Sequence, residues 1–270
     1  MQNYLFYLAA LLYTVSAILP ANRRDIATGG ILVAWGLHGI ALARHTISPE
    51  FLQLGFAVML SATFWITVAA YWIESRKLSL DGLRVLLLPG AAVAVILPAL
   101  FPGKLIPLVG KSPLFSWHIA LSTLAYSSLT IAAFHAVLMA VQESRLHVLP
   151  SADAKRGWFA ASIDRLPALL TMERMLFRLI GIGFALLTLT VVSCVFCSEE
   201  LFGMAFKFEH KTIITLLSWV LFGVLLAGRR WRGWRGRTAL SFTLTGFTTL
   251  LLAYVGSRFV MEVVLHRGLT

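Results

Sequence analysis

The side chains able to ligate a metal are few in this chain, and they are unevenly spread. Of the seven histidines, His45, His118, His210 and His266 fall at those ends of long apolar runs that share one side in the arrangement traced below. His38 lies deeper, and only His135 and His147 belong to the opposite half. Imidazole is the commonest metal ligand and a frequent axial ligand of haem iron. Two imidazoles at one depth on different helices can bracket a flat macrocycle whose faces are covered by aromatic groups. His118 and His266 are the pair whose shared depth suits that role. His45 and His147 suit interfacial hydrogen bonding, whereas His38 and His135, inside apolar runs, each need a partner.

Residues 199–212 concentrate further chemistry between two apolar runs: Phe202, Phe206 and Phe208, together with Glu199, Glu200, Glu209, Lys207, Lys211 and His210. A plain connector does not need such a mixture. His210, between Glu209 and Lys211, suits either hydrogen bonding or ligation. Near the end of the chain Arg258, Glu262 and His266 recur every four residues, on one face of a helix. They give either an intrahelical Arg–Glu pair or an arginine that holds the carboxylate of a bound ligand, such as a haem propionate. Cys194 and Cys197 lie one helical turn apart, either as small apolar packing groups or as a dithiol switch. With only two cysteines, no disulfide framework is expected. No phosphate-binding loop, His-Glu-x-x-His or Gly-x-Ser-x-Gly motif is present, so hydrolase chemistry has no support.

The elements that must carry these groups are membrane helices. Apolar residues make up 59% of the 270 and charged residues 13%, with a mean hydropathy of +0.82; soluble domains carry about 25% charged residues. Eight runs lack Lys, Arg, Asp and Glu: 1–22, 26–43, 51–73, 85–103, 112–142, 179–198, 212–228 and 238–257. A bilayer is crossed by roughly 17–25 apolar residues. Alternating strand patterns are missing, which leaves no basis for a barrel. The expectation is an all-α, polytopic membrane protein of eight transmembrane helices, residues 1–270 forming one membrane domain. The first run has neither a basic leader nor a cleavage pattern and reads as a retained helix.

The net charge of +11 reflects topology. With the N-terminus outside, 16 of the 23 lysines and arginines fall in inner connections, including Arg76, Arg84, Arg174, Arg178 and the five arginines at 229–237. The positive-inside rule therefore sets both termini on the outer, periplasmic side of a bacterial cytoplasmic (inner) membrane. It points to lipid, not nucleic acid, as the basic surface's partner. Pro89 and Pro98 predict a kinked fourth helix. The fifth apolar run is longer than a bilayer requires, and the long inner loop at 143–171 follows it. The sixth helix is expected from about Met172 to Cys197, and the segment between it and the seventh is expected to be an outer loop.

Phe202-Gly203-Met204-Ala205-Phe206-Lys207-Phe208-Glu209-His210-Lys211, leading directly into an apolar helix, resembles the tryptophan-rich segment of the CcsA/CcmC/CcmF cytochrome c assembly superfamily. Phe stands at each tryptophan position, Glu209 at the aspartate and His210 at the proline, while Gly203 and Lys211 match. Trp117-His118 is similar to the family's first outer histidine. Trp234, Tyr254, Gly256 and His266 look like its end region, with His266 one residue further along than the pattern. The likeness is strongest over 112–267, and its overall character is that of the HemX/YpjD branch. It implies an integral membrane protein that binds haem on the outer face and presents it to apocytochrome c or other maturation proteins, as a chaperone or assembly factor rather than an enzyme. By the same resemblance His118 and His266 are the axial ligands of the haem iron. Gly203, Phe206, Phe208, Glu209 and Lys211 form the platform, and His210 beside it and Arg258 at a propionate are added from their own positions in the sequence. Phenylalanine stacks on a porphyrin but lacks the area and N–H of tryptophan. A non-enzymatic regulator or partner subunit that has lost haem binding is therefore the alternative.

Overall fold

The computed structural model describes residues 3–48, 50–78, 80–107, 113–146, 166–202, 210–256 and 259. They contain α1 (Tyr4–Ile18), α2 (Arg24–Thr46), α3 (Phe56–Ser75), α4 (Asp81–Leu100), α5 (Pro113–Leu146), α6 (Leu169–Phe202), α7 (His210–Arg232) and α8 (Gly236–Leu251). A π-helical turn, Leu252–Gly256, continues α8. Among the described residues seven helices are long and apolar enough to cross a membrane. The eighth expected span, α1, has 15 residues. Its run of apolar residues is long enough, but Pro20 follows and cannot continue the hydrogen-bond ladder. At 1.5 Å per residue α1 rises about 23 Å, against a hydrocarbon layer of about 30 Å.

The third expected span needs a correction. Residues 51–54 form a strand, β1 (Phe51–Leu54), paired antiparallel with β2 (Lys104–Pro107), so that Phe51 faces Pro107 and Leu54 faces Lys104. The ladder joins the α2–α3 and α4–α5 connections. It closes tightly because Gly103 adopts φ +81°, and a Cβ there would lie 2.7 Å from the Leu54 carbonyl oxygen. Helix α6 also differs from expectation, running three residues further back and continuing to Phe202. Helix α7 begins at His210 and extends through Arg229 and Arg230 to Arg232, so much of the expected basic turn is helical.

Helix α5 is central, packing most extensively on α6 and also on α3 and α8, while α1 packs on α2 and α4. In a membrane the hydrophobic effect does not drive helices together, so close packing and interhelical hydrogen bonds must. Alanines such as Ala9, Ala34, Ala91, Ala132 and Ala136 are fully buried at the contacts. Gly183 admits the Leu129 side chain of α5, whose Cδ2 would lie 2.6 Å from an added Cβ. Ser127 Oγ lies 3.1 Å from the Thr63 carbonyl oxygen and 2.7 Å from that of Thr123, bringing α5 against α3. Ser128 Oγ reaches Leu179 O on α6, and Ser218 Oγ reaches Gly246 O between α7 and α8.

One end of the bundle gathers the connections α1–α2, α3–α4 and α7–α8, and with them most of the described arginines. We refer to it as the basic end. Several of these arginines hold structure together. Arg84, 2% exposed, donates to Leu19 O at the close of α1, 2.7 Å. Arg24 donates to Ser75 O at the close of α3. Cations there satisfy carbonyls that a helix end leaves unpaired and complement its dipole. Arg229 pairs with Glu173 of α6 while its guanidinium lies 4.5 Å over the Phe177 ring.

Candidate functional site

His118 lies in the second turn of α5, which starts at Pro113, a favourable first position because proline has no N–H to leave unpaired. It is half-buried against α6. Its Nδ1 is 2.8 Å from Ser193 Oγ, and Ser193 Oγ is 2.9 Å from the Thr190 carbonyl oxygen. A hydroxyl has one proton, and a carbonyl can only accept. Ser193 therefore donates to Thr190 and accepts from His118, which places the imidazole proton on Nδ1 and the lone pair on Nε2. Metal-bound histidines are held in the same manner, with the nitrogen opposite the metal donating to a neighbouring oxygen.

The depth of His118 follows from the helices around it. Glu143 near the end of α5 approaches Arg237 at the start of α8, 3.3 Å, and Tyr126 packs against Tyr254, with ring centroids 5.8 Å apart. The same number of residues separates the two contacts on each helix, so α5 and α8 keep a single antiparallel register. His118 lies 25 residues from Glu143, a rise of about 37 Å, beyond the ~30 Å of a hydrocarbon layer. It therefore sits at the end of the bundle opposite the basic end. The chain that follows α8 comes to the same place. Phe259 packs edge-on against Phe56 of α3, centroids 5.5 Å, and Phe56 meets Phe101 beside the β-ladder.

The α6 terminus, the α7 start, the α8 terminus and the α5 start are thus the elements around the candidate site. Of the residues expected there, His118 is placed with its side chain. His210 and Lys211 are the first two residues of α7, helical rather than loop. Gly203, Phe206, Phe208, Glu209, Arg258 and His266 lie outside the described residues, as do Glu262 and His147. Cys194 and Cys197 both fall within α6. Among the described residues no group of three or more His, Cys, Asp or Glu side chains is placed to hold a metal ion.

Three other histidines have neighbours in the described structure. His38, fully buried, has Nε2 2.8 Å from Ser61 Oγ and Nδ1 3.3 Å from the Tyr13 hydroxyl. Both nitrogens are engaged by protein, which is the outcome expected for an imidazole in an apolar interior. His45 places Nε2 3.4 Å from Pro102 O and meets the Phe6 ring edge-on. His135 is fully buried, with Nε2 3.5 Å from Glu74 Oε2.

Below His118, a cavity of about 320 Å³ opens between α3, α5 and α8, lined by Met59, Thr63, Tyr126, Phe134, Phe247 and Tyr254 among others. Sequence reasoning missed Ser193, an unremarked polar residue in an apolar run, distant in sequence from the imidazole it orients. It also passed over Glu74, although an ionisable group at the edge of an apolar span was a visible signal.

Helices with these lengths and this packing define a multi-pass membrane protein, with a singly oriented imidazole at one end. The chain belongs to the Cytochrome C assembly protein family, matching it over residues 3–265. It is 29% identical over 271 residues to "Inner membrane protein YpjD" of Escherichia coli (strain K12), an alignment covering 96% of this chain and 95% of that one. It is 28% identical over 288 residues to the "Uncharacterized 28.8 kDa protein in nifR3-like 5'region" of Azospirillum brasilense, covering 98% and 99%. To "Cytochrome c biogenesis protein CcsA" of Nostoc punctiforme it is 32% identical over 95 residues, which is 35% of this chain and 27% of that protein. No solved structure gives a significant match.

Proposed function

We propose that this protein resides in the bacterial inner membrane as a single unit of eight spans with both termini outside, and that it binds haem at the His118 end for cytochrome c assembly. The observation that carries the reading is the contact of His118 Nδ1 with Ser193 Oγ, which holds the imidazole between α5 and α6 at the end of the bundle opposite the basic end. His266 supplies the second axial nitrogen. Gly203, Phe206, Phe208, Glu209, His210 and Lys211 cover the macrocycle, and Arg258 holds a propionate. Haem supplies the iron centre delivered to an apocytochrome or to another maturation protein. This chain's residues orient the imidazole and shield the porphyrin faces, and no side chain among them is assigned to bond formation. YpjD's printed name and the family's support the membrane and the pathway.

The test is the absorption spectrum of protein purified in mild detergent, before and after haem is added. Paired imidazole ligation gives sharp low-spin bands that weaken in His118→Ala and in His266→Ala. A wild-type protein that takes up no haem under reconstitution would overturn the reading. That result would favour the second one, a membrane regulator without haem, for which the specific observation is phenylalanine at all three tryptophan positions of the platform.

A further inference from the structure

The fold leaves one pair of buried polar atoms facing each other with no role in the haem site. His135 is completely buried on α5, and its Nδ1 is 2.9 Å from the carbonyl oxygen of Ile131 one turn earlier. A carbonyl only accepts, so Nδ1 carries a proton and Nε2 is the ring nitrogen whose protonation is open. Nε2 points at Glu74 Oε2 in the last turn of α3, 3.5 Å away. Neither atom has a conventional hydrogen bond, and both are shut off from solvent.

Proton counting limits what such a pair can be. With no proton between them, an imidazole lone pair faces a carboxylate in an apolar interior, and both acceptors go unsatisfied. With two protons, a buried imidazolium faces a neutral acid and its charge is uncompensated. Only one proton leaves the pair neutral overall and internally bonded, either as imidazolium and carboxylate or as imidazole and carboxylic acid. We propose that Glu74 and His135 form a membrane-embedded proton-binding site that fastens α3 to α5 through one shared proton.

The surroundings favour uptake from the basic end. His135 lies eight residues from Glu143, about 12 Å along α5. Arg178 on α6 is close enough to attract the Glu74 carboxylate. Tyr71 lies one turn back from Glu74 on α3, where the charges of Arg84 and Asp81 from α4 and Arg24 from α2 converge on it. Toward the other end the described α3–α5 hydrogen bonds are neutral ones through Ser127, Thr63 and Thr67, and the Tyr126 phenol of α5 faces α3 across the cavity there. The shared proton thus closes the basic half of the interface.

The test uses the haem-free protein in detergent. Its thermal midpoint is followed over about pH 5 to 9, the range in which histidine changes charge, beside Glu74→Gln. In the variant the amide N–H donates to Nε2 of a neutral imidazole. The wild type should lose stability once alkali strips the shared proton, and Glu74→Gln should keep a flat alkaline limb. Identical alkaline declines in the two proteins would overturn the proposal. Should the variant not fold, wild-type spectra decide. The Glu74 carboxyl infrared band and the His135 ¹⁵N resonance must change together, as one coupled titration. Separate transitions would overturn it. Neither readout involves His118, so loss of the haem reading leaves this one standing.

Discussion

At the scale of single residues, the candidate site turns on a hydroxyl. Ser193 has no chemistry of its own here, yet its one proton goes to Thr190 and so decides which nitrogen of His118 keeps its lone pair. Replacing it with alanine should leave the helices intact and release the imidazole to either tautomer. Outer partners of ligating histidines are worth about 10–100-fold in metal affinity. Ser193→Ala should therefore weaken haem retention by about tenfold or more, read from haem titrations in detergent, while circular dichroism stays unchanged. An unaltered affinity would remove Ser193 from the site. His38, in the apolar interior, has Ser61 and Tyr13 on its two nitrogens. Two histidines of equal chemistry are thus separated by what surrounds them.

Among elements, packing is governed by where side chains are small. Gly183 lets α6 press against Leu129 of α5, whereas nothing lies within 4 Å of a Cβ added at Gly181, two residues away. Gly183→Leu should cost about 1–3 kcal/mol, the usual penalty of overpacking, and Gly181→Leu close to none. Thermal midpoints of both variants in the same detergent provide the comparison. A similar accommodation holds α2 to α3. Trp35 and Trp65 stack with centroids 4.9 Å apart, and each indole N–H donates to the other's carbonyl at 3.0 Å. Gly39 leaves space for the second ring. The sequence announced the helices through their apolar runs and charged borders, and His118 falls near the start of α5. It did not announce partners. The Ser193 contact and the tryptophan exchange depend on which faces meet after folding. Residues 51–54 read as the beginning of a span because Phe, Leu and Leu are apolar, and only pairing with 104–107 makes them a strand.

For the molecule as a whole, the asymmetry of charge predicts an orientation that labelling can check. Ile47, 66% exposed beside the β-ladder, and Trp231, 83% exposed at the basic end, mark opposite ends. In a background without Cys194 and Cys197, Ile47→Cys should react with an impermeant maleimide in intact cells. Trp231→Cys should react only after the inner membrane is opened. The reverse pattern would invert the topology and move the proposed haem site to the cytoplasm. Helices α5 and α6 have one more consequence. Each has 34 residues and rises about 51 Å, some 20 Å more than the hydrocarbon layer is thick. They continue past the level of the His118–Ser193 contact, by about 7 Å on α5 and 13 Å on α6. In the proposed orientation these paired ends would stand beyond the hydrocarbon layer, where a water-soluble polypeptide could meet them without first penetrating the bilayer.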